Sequence, residues 1–219
     1  MNVLKEVGAL VRKDIILEWR SKYALNGILL YVVSTVFVCY QAFKALDPTT
    51  WNVLFWIIML FASINAVNKS FIQESQNRQL YYYTLAGPKA IILSKIIYNV
   101  LIMLLLSAIA FVAYAVIFGT PVGDIGLYLW AVIMGGISFA SVFTMISGIS
   151  AKAGNNSTLM AVLSFPIIIP LLIVLIKLSN NAVLGLEWSV SYPELLVLVA
   201  INVITVTISL SLFPYLWRD

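Results

Sequence analysis

The residues able to do chemistry in this chain are few, and their types exclude whole classes of mechanism. Among 219 residues there is no histidine and one cysteine. Without histidine the chain cannot carry a His-ligated haem, a His-based zinc site or a His-dependent acid–base step. Cys39 has no second cysteine to pair with. The preceding Val36-Phe37-Val38 lacks the small residue expected before a lipidated cysteine, so Cys39 reads as a small apolar filler. No G-x-x-x-x-G-K-[ST] phosphate loop occurs, which removes ATP hydrolysis by that machinery from this chain. No catalytic residue, metal ligand or resident cofactor is assigned, and the chain is expected to be non-catalytic.

Two polar clusters remain. Asn2 to Lys22 has the spacing of an amphipathic helix lying on a membrane surface. Leu4, Val7, Leu10, Val11, Ile15 and Leu17 share a broad face, with Lys5, Arg12, Lys13 and Arg20 opposite. Asp14 and Glu18 break that pattern, because they fall in the apolar sector and form, with Lys22, a stripe at i, i+4 and i+8. Carboxylates are costly in lipid tails. Two readings follow: snorkelling acids with an exposed Glu18–Lys22 pair, or a face that docks on protein, either a cytoplasmic partner or the chain's own first loop.

The second cluster is Lys69 to Ala90, the longest polar excursion. Gln73 to Gln79 is polar throughout, Glu74 and Arg78 stand one turn apart, and Tyr81, Tyr82 and Tyr83 return toward an interface. Gly87-Pro88 is expected to end a helix here. The segment is either a solvated loop with a tyrosine anchor or a short helix presented to a cytosolic partner. On the second reading Ser70, Gln73, Glu74, Asn77 and Arg78 make the contact.

The elements that must position these residues follow from composition. Apolar residues are 62% of the chain and charged residues 10%, with a mean hydropathy of +1.01. Soluble domains carry roughly 25% charged residues, so this is a polytopic membrane protein, and its net charge of +4 carries no implication of nucleic acid. Six apolar windows are long enough to span: Ala24 to Phe43, Trp51 to Asn68, Ile91 to Phe118, Leu127 to Ile149, Thr158 to Lys177 and Leu195 to Trp217. Placing both termini in the cytoplasm puts eleven basic residues inside and two, Lys44 and Lys177, outside, together with Asp47, Asp124, Glu187 and Glu194. The third window exceeds one bilayer, and its Lys95 is expected at an end that projects into solvent. The charged first 23 residues do not resemble a cleavable signal. The expected fold is an all-α polytopic membrane domain over 1–219: an interfacial helix over 1–23, six transmembrane helices, and a cytoplasmic loop over 69–90.

Within the windows, Gly136, Ala140, Thr144 and Gly148 recur every four residues and define a small-residue face for helix packing, static in preference to moving. Pro166 and Pro170 deprive the carbonyls of Val162 and Pro166 of their helical donors, which predicts a bend, fixed in preference to hinged. The six tryptophans are dispersed along the sequence. A membrane-embedded enzyme is disfavoured because the span interiors supply no buried ionisable group.

Four segments carry a family resemblance: Lys13-Asp-Ile-Ile-Leu-Glu-Trp-Arg-Ser-Lys22, Asn65-Ala-Val-Asn-Lys-Ser-Phe-Ile-Gln-Glu74, Leu85-Ala-Gly-Pro88 followed by Lys95, and Leu163-Ser-Phe-Pro-Ile-Ile-Ile-Pro-Leu-Leu172. In order and spacing they resemble CcmB, the permease component of the bacterial cytochrome c maturation haem exporter, over essentially the whole chain. The resemblance implies an ABC-type permease in a bacterial inner membrane whose first cytoplasmic loop contacts a separate ATPase that holds the ATP. It also implies a Trp-rich haem-handling membrane subunit, a small single-span subunit and a periplasmic haem chaperone as partners. Haem is then a transported or partner-held ligand. The alternative is a non-transporting scaffold that passes ATP-driven motion on to release a haem-loaded chaperone.

Overall fold

The computed structural model describes residues 3–21, 23–43, 46–72, 86–152 and 157–216. Its elements are α1 (Val3–Ser21), α2 (Tyr23–Ala42), α3 (Pro48–Ile72), α4 (Pro88–Phe118), α5 (Ile125–Lys152), α6 (Ser157–Val183) and α7 (Trp188–Leu216). Among the described residues, α3 to α7 are long and apolar enough to cross a membrane, and α2 is apolar over Asn26–Ala42. The hydropathy windows therefore become helices, most of them extended by a turn or so into their flanks. The chain is a multi-pass membrane protein.

Helices α2 to α7 alternate in direction, which gives the bundle two ends. One holds α1 and the start of α4; the other holds the 119–124 and 184–187 turns. Helix α5 is the axle, packed against α3, α4, α6 and α7 and mostly buried, whereas α7 shows most of its surface to the outside. A small-residue helix suits the middle of such a bundle because neighbouring backbones approach it closely. Among the glycines the tightest approach is at Gly135, where a Cβ would collide with the ring of Trp56. That ring is fully buried and fixed by its indole N–H, which donates to Ser179 Oγ at 2.7 Å.

Around Trp56 the tryptophans are less dispersed than the sequence implies. Trp51 and Trp56, one turn apart on α3, join Phe55, Phe111, Tyr114, Tyr128 and Phe139 in one aromatic cluster. Its polar tips are all spoken for: Trp51 Nε1 donates to Gly119 O at 3.1 Å, Tyr114 Oη to Trp51 O at 3.0 Å, and Tyr128 Oη to Asn52 Oδ1 at 3.3 Å. Buried aromatic hydroxyls and indoles need such partners.

Two boundaries depart from the sequence reading. Gly87 has an extended backbone (φ −68°, ψ 147°) and caps the start of α4 with Pro88 at the first helical position, so Gly-Pro opens a helix here and does not supply a left-handed C-cap. Helix α7 begins at Trp188, seven residues before the apolar window, and runs on through Pro193. Glu194 therefore lies inside a helix and is buried, not in an exposed loop. Finally, the 119–124 and 184–187 turns interlock. Gly123 N donates to Val183 O at 3.2 Å and Asp124 N to Ala182 O at 2.9 Å, while Asp124 Oδ2 accepts from Trp188 Nε1 at 2.9 Å. Gly185 adopts φ +66°, a left-handed conformation that glycine accepts without strain.

Candidate functional site: an acidic helix clasped to α4

Helix α1 presents three carboxylates to the start of α4. Glu6 Oε2 accepts from the backbone N–H of Gly87 at 3.3 Å. Asp14 Oδ2 faces Lys95 Nζ at 3.1 Å, and its Oδ1 lies 2.9 Å from Lys13 Nζ. Glu18 Oε2 accepts from Tyr98 Oη at 3.2 Å. The contacts advance in step, residue 6 with 87, 14 with 95 and 18 with 98. About 18 Å of α1 thus runs alongside the first three turns of α4 in the same direction. Asp14, Glu18 and Lys95 are each 7% exposed or less.

This corrects two expectations. Lys95 does not project into solvent, and the span helices do contain buried ionisable groups, Lys95 and Glu194. Helix α4 has 31 residues and is about 46 Å long, well beyond the roughly 30 Å hydrocarbon core, and the part of this surplus at its N-terminal end is sheathed by α1. The sequence places Asp14 and Glu18 in an apolar sector because that sector faces α4. Leu4, Ile15 and Trp19 flank the contact and are exposed. Glu6 gives no signal in the sequence, since an acid in the first turn of a helix is ordinary and its partner lies 81 residues away.

The other candidate residues fall in different places. Ser70 lies in the last turn of α3. Lys22, Gln73, Glu74, Asn77 and Arg78 lie outside the described residues. Gly136 faces Ser107 of α4, with its hydroxyl 3.3 Å from where a Cβ would stand. Ala140 and Thr144 are fully buried, Thr144 Oγ1 accepts from Asn99 Nδ2 of α4 at 2.9 Å, and Gly148 faces Phe213 of α7 and Ile92 of α4. The stripe thus meets α4 along its length and α7 at one end. Helix α6 continues through Pro166 and Pro170, whose side chains face outward beside the exposed Val162 and Phe165. Toward the far end of α6, Lys177 Nζ meets Glu194 Oε1 at 2.7 Å, with Lys177 exposed and Glu194 buried. No cluster of metal-ligating side chains occurs among the described residues.

Comparison with protein families gives one decisive result: the family model described as CcmB protein matches residues 5–215. The chain belongs to the CcmB family. CcmB proteins are transmembrane permease components of ABC type in cytochrome c maturation, generally non-catalytic, and the family works with an ABC ATPase and other maturation components. Neither a curated protein sequence nor a solved structure matches the chain. The CcmB match runs from α1 to the end of α7, so the clasp lies within the region that the family shares.

Proposed function

We propose that this CcmB chain is the permease subunit through which a separate cytoplasmic ATPase moves the membrane part of a bacterial cytochrome c maturation complex. On this reading it has six spans with both termini inside, and residues 69–90 form the ATPase-contacting loop. The partners are those of the family: the ATPase, a Trp-rich haem-handling subunit, a small single-span subunit and a periplasmic haem chaperone, with haem as transported or partner-held ligand.

The observation that carries the proposal is the clasp. The loop leads directly into Gly87-Pro88, and the first turns of α4 are gripped by Glu6, Asp14 and Glu18 of α1. A push on the loop is therefore delivered to two helices at once. Ser70, Gln73, Glu74, Asn77 and Arg78 supply the polar surface for the ATPase. Truncating one member of a buried charged pair across an interface costs about 2 to 5 kcal/mol, against about 0.3 to 0.5 kcal/mol for an exposed i, i+4 pair. Glu74→Lys and Arg78→Glu are therefore expected to abolish ATPase co-purification or to uncouple hydrolysis from cytochrome maturation. Wild-type assembly and maturation in both variants would move the docking site elsewhere.

The scaffold reading has its own support in the filled centre of the bundle. Trp51, Phe55, Trp56, Phe139 and Phe143 are all 1% exposed or less, so any transported group would travel along the outer surface of this chain, beside a partner. Reconstitution separates the two readings: ATPase-dependent accumulation of haem inside vesicles supports transport, and ATP-dependent release of the chaperone without flux supports the scaffold.

A further inference from the structure

A cavity of about 520 Å³ opens between the start of α4 and the last turns of α7, lined by Lys89, Thr207, Leu210, Ser211, Pro214 and Tyr215. From it we infer that the chain binds the phosphate headgroup of an anionic phospholipid, seated on Lys89 with its acyl chains along α7.

Four observations lead there. The polar lining is cationic and hydroxylic: Lys89 is exposed and has no ion-pair partner among the described residues, and the Ser211 hydroxyl makes no hydrogen bond to any of them. Thr207 Oγ1 donates to Val203 O at 2.7 Å, so it offers only acceptor capacity and shapes the wall. Lys89 is the second residue of a helix about 46 Å long, and a bilayer measures about 40 to 45 Å across its headgroups, so the ammonium stands at headgroup depth. Continuing from the cavity along the outer face of α7, Leu212, Ile208, Ile204 and Val203 are exposed and apolar, which suits acyl chains. Tyr215, 73% exposed at the mouth, is the amphipathic ring expected at such an interface. A free phosphate would use the lysine but leave that apolar track unused, which favours the lipid. Basic pockets between spans on the cytoplasmic side commonly take anionic headgroups. Under the proposed topology, the cavity lies in the cytoplasmic leaflet.

The test uses the full-length chain in nanodiscs, with phosphatidylglycerol or phosphatidylcholine as probe and retained lipid counted by native mass spectrometry. Phosphatidylglycerol should be retained preferentially. Lys89→Gln should weaken it about fivefold, the effect of one basic residue near a charged membrane surface. Ser211→Phe, which fills the cavity and leaves the charge, should weaken it as well, while Arg12→Gln on α1 should leave it unchanged. Equal retention of the two lipids, or equal loss in Lys89→Gln and Arg12→Gln, would overturn the proposal. So would displacement of the lipid by inorganic phosphate at millimolar concentration, which would mark a simple phosphate site. ATPase co-purification, read on the same variants, reports separately on the proposed coupling.

Discussion

The two ends of the bundle are held by different physics. At the α1 end the contacts are charged and carried by side chains: Asp14 with Lys95, Glu18 with Tyr98, and Glu6 with the N–H of Gly87. At the opposite end the Lys177–Glu194 ion pair and the Asp124–Trp188 side-chain bond are joined by short-range contacts through backbone: Gly123 and Asp124 pair with Val183 and Ala182, and Trp51 reaches Gly119 O. A backbone knot with two glycines in contact has one geometry and nowhere to slide. Side-chain ion pairs on long stems tolerate small displacements, and Asp14 meets Lys13 and Lys95 at once, one through each carboxylate oxygen. The difference assigns rigidity to the knotted end and compliance to the end that meets the loop, which is where an external push must be received.

The largest expected effect breaks the comparison at the clasp. Asp14→Ala removes the acceptor shared by two lysines, one of them 4% exposed, and breaking a buried pair by deleting one partner costs about 3 to 5 kcal/mol. Limited proteolysis should then cut within residues 3–23 at a rate at least about tenfold above wild type, while the far end stays protected. Lys95→Met should cost less, because Asp14 keeps Lys13. The double variant Asp14→Leu, Lys95→Met should recover most of the loss, since a buried pair replaced by apolar side chains is often neutral. Additive losses would show that the two residues do not form the unit described.

How much of this is legible in the sequence depends on the range of the interaction. Helices and their order come from hydropathy, which is local, and the windows lie within a few residues of the observed spans except at the end of α6, six residues later, and at the start of α7. There Ser189, Ser191, Pro193 and Glu194 dilute the apolar signal, although the helix has already begun. The odd placement of Asp14 and Glu18 is visible because it violates a local pattern. Their partners Lys95 and Tyr98 are not, because nothing local encodes a contact across 80 residues. The every-fourth stripe draws attention to Gly136, but the closest approach is one residue earlier at Gly135, on a face where the stripe pattern gives no signal. Only the position of the Trp56 ring reveals it.

A smaller effect sharpens the comparison at the knot. A methyl group at Gly123 would stand 2.9 Å from both Cα and N of Gly185, which are backbone atoms that cannot swing away. Overpacking of this kind costs about 1 to 3 kcal/mol. Gly123→Ala should therefore lower the thermal midpoint in detergent. It should not increase cleavage near α1, and it should leave ATPase co-purification at the wild-type level. Loss of ATPase binding in this variant would mean that the two ends are not mechanically distinct.

The smallest effect concerns the first turn of α3, also at the knotted end. Asp47 caps this helix, with Oδ2 accepting from Thr50 N at 3.0 Å. Hydrogen bonds from the Thr50 side chain and then its backbone hold the Asp47 carboxyl below its ordinary value of 3.8. A folded-state pKa that is depressed contributes stability above the unfolded value, and that contribution disappears as pH falls through the folded one. The benefit should therefore be complete at neutral pH and fade only below about pH 4. Because Asp47 is fully exposed, the shift in midpoint should be slight. Asp47→Ala should lower it at neutral pH and should differ less from wild type at about pH 3, whereas Asp47→Asn, which keeps a capping acceptor, should stay close to wild type at both. A gap between Asp47→Ala and wild type that widened on acidification would have the wrong sign for this cap and would place the stabilising interaction of Asp47 elsewhere.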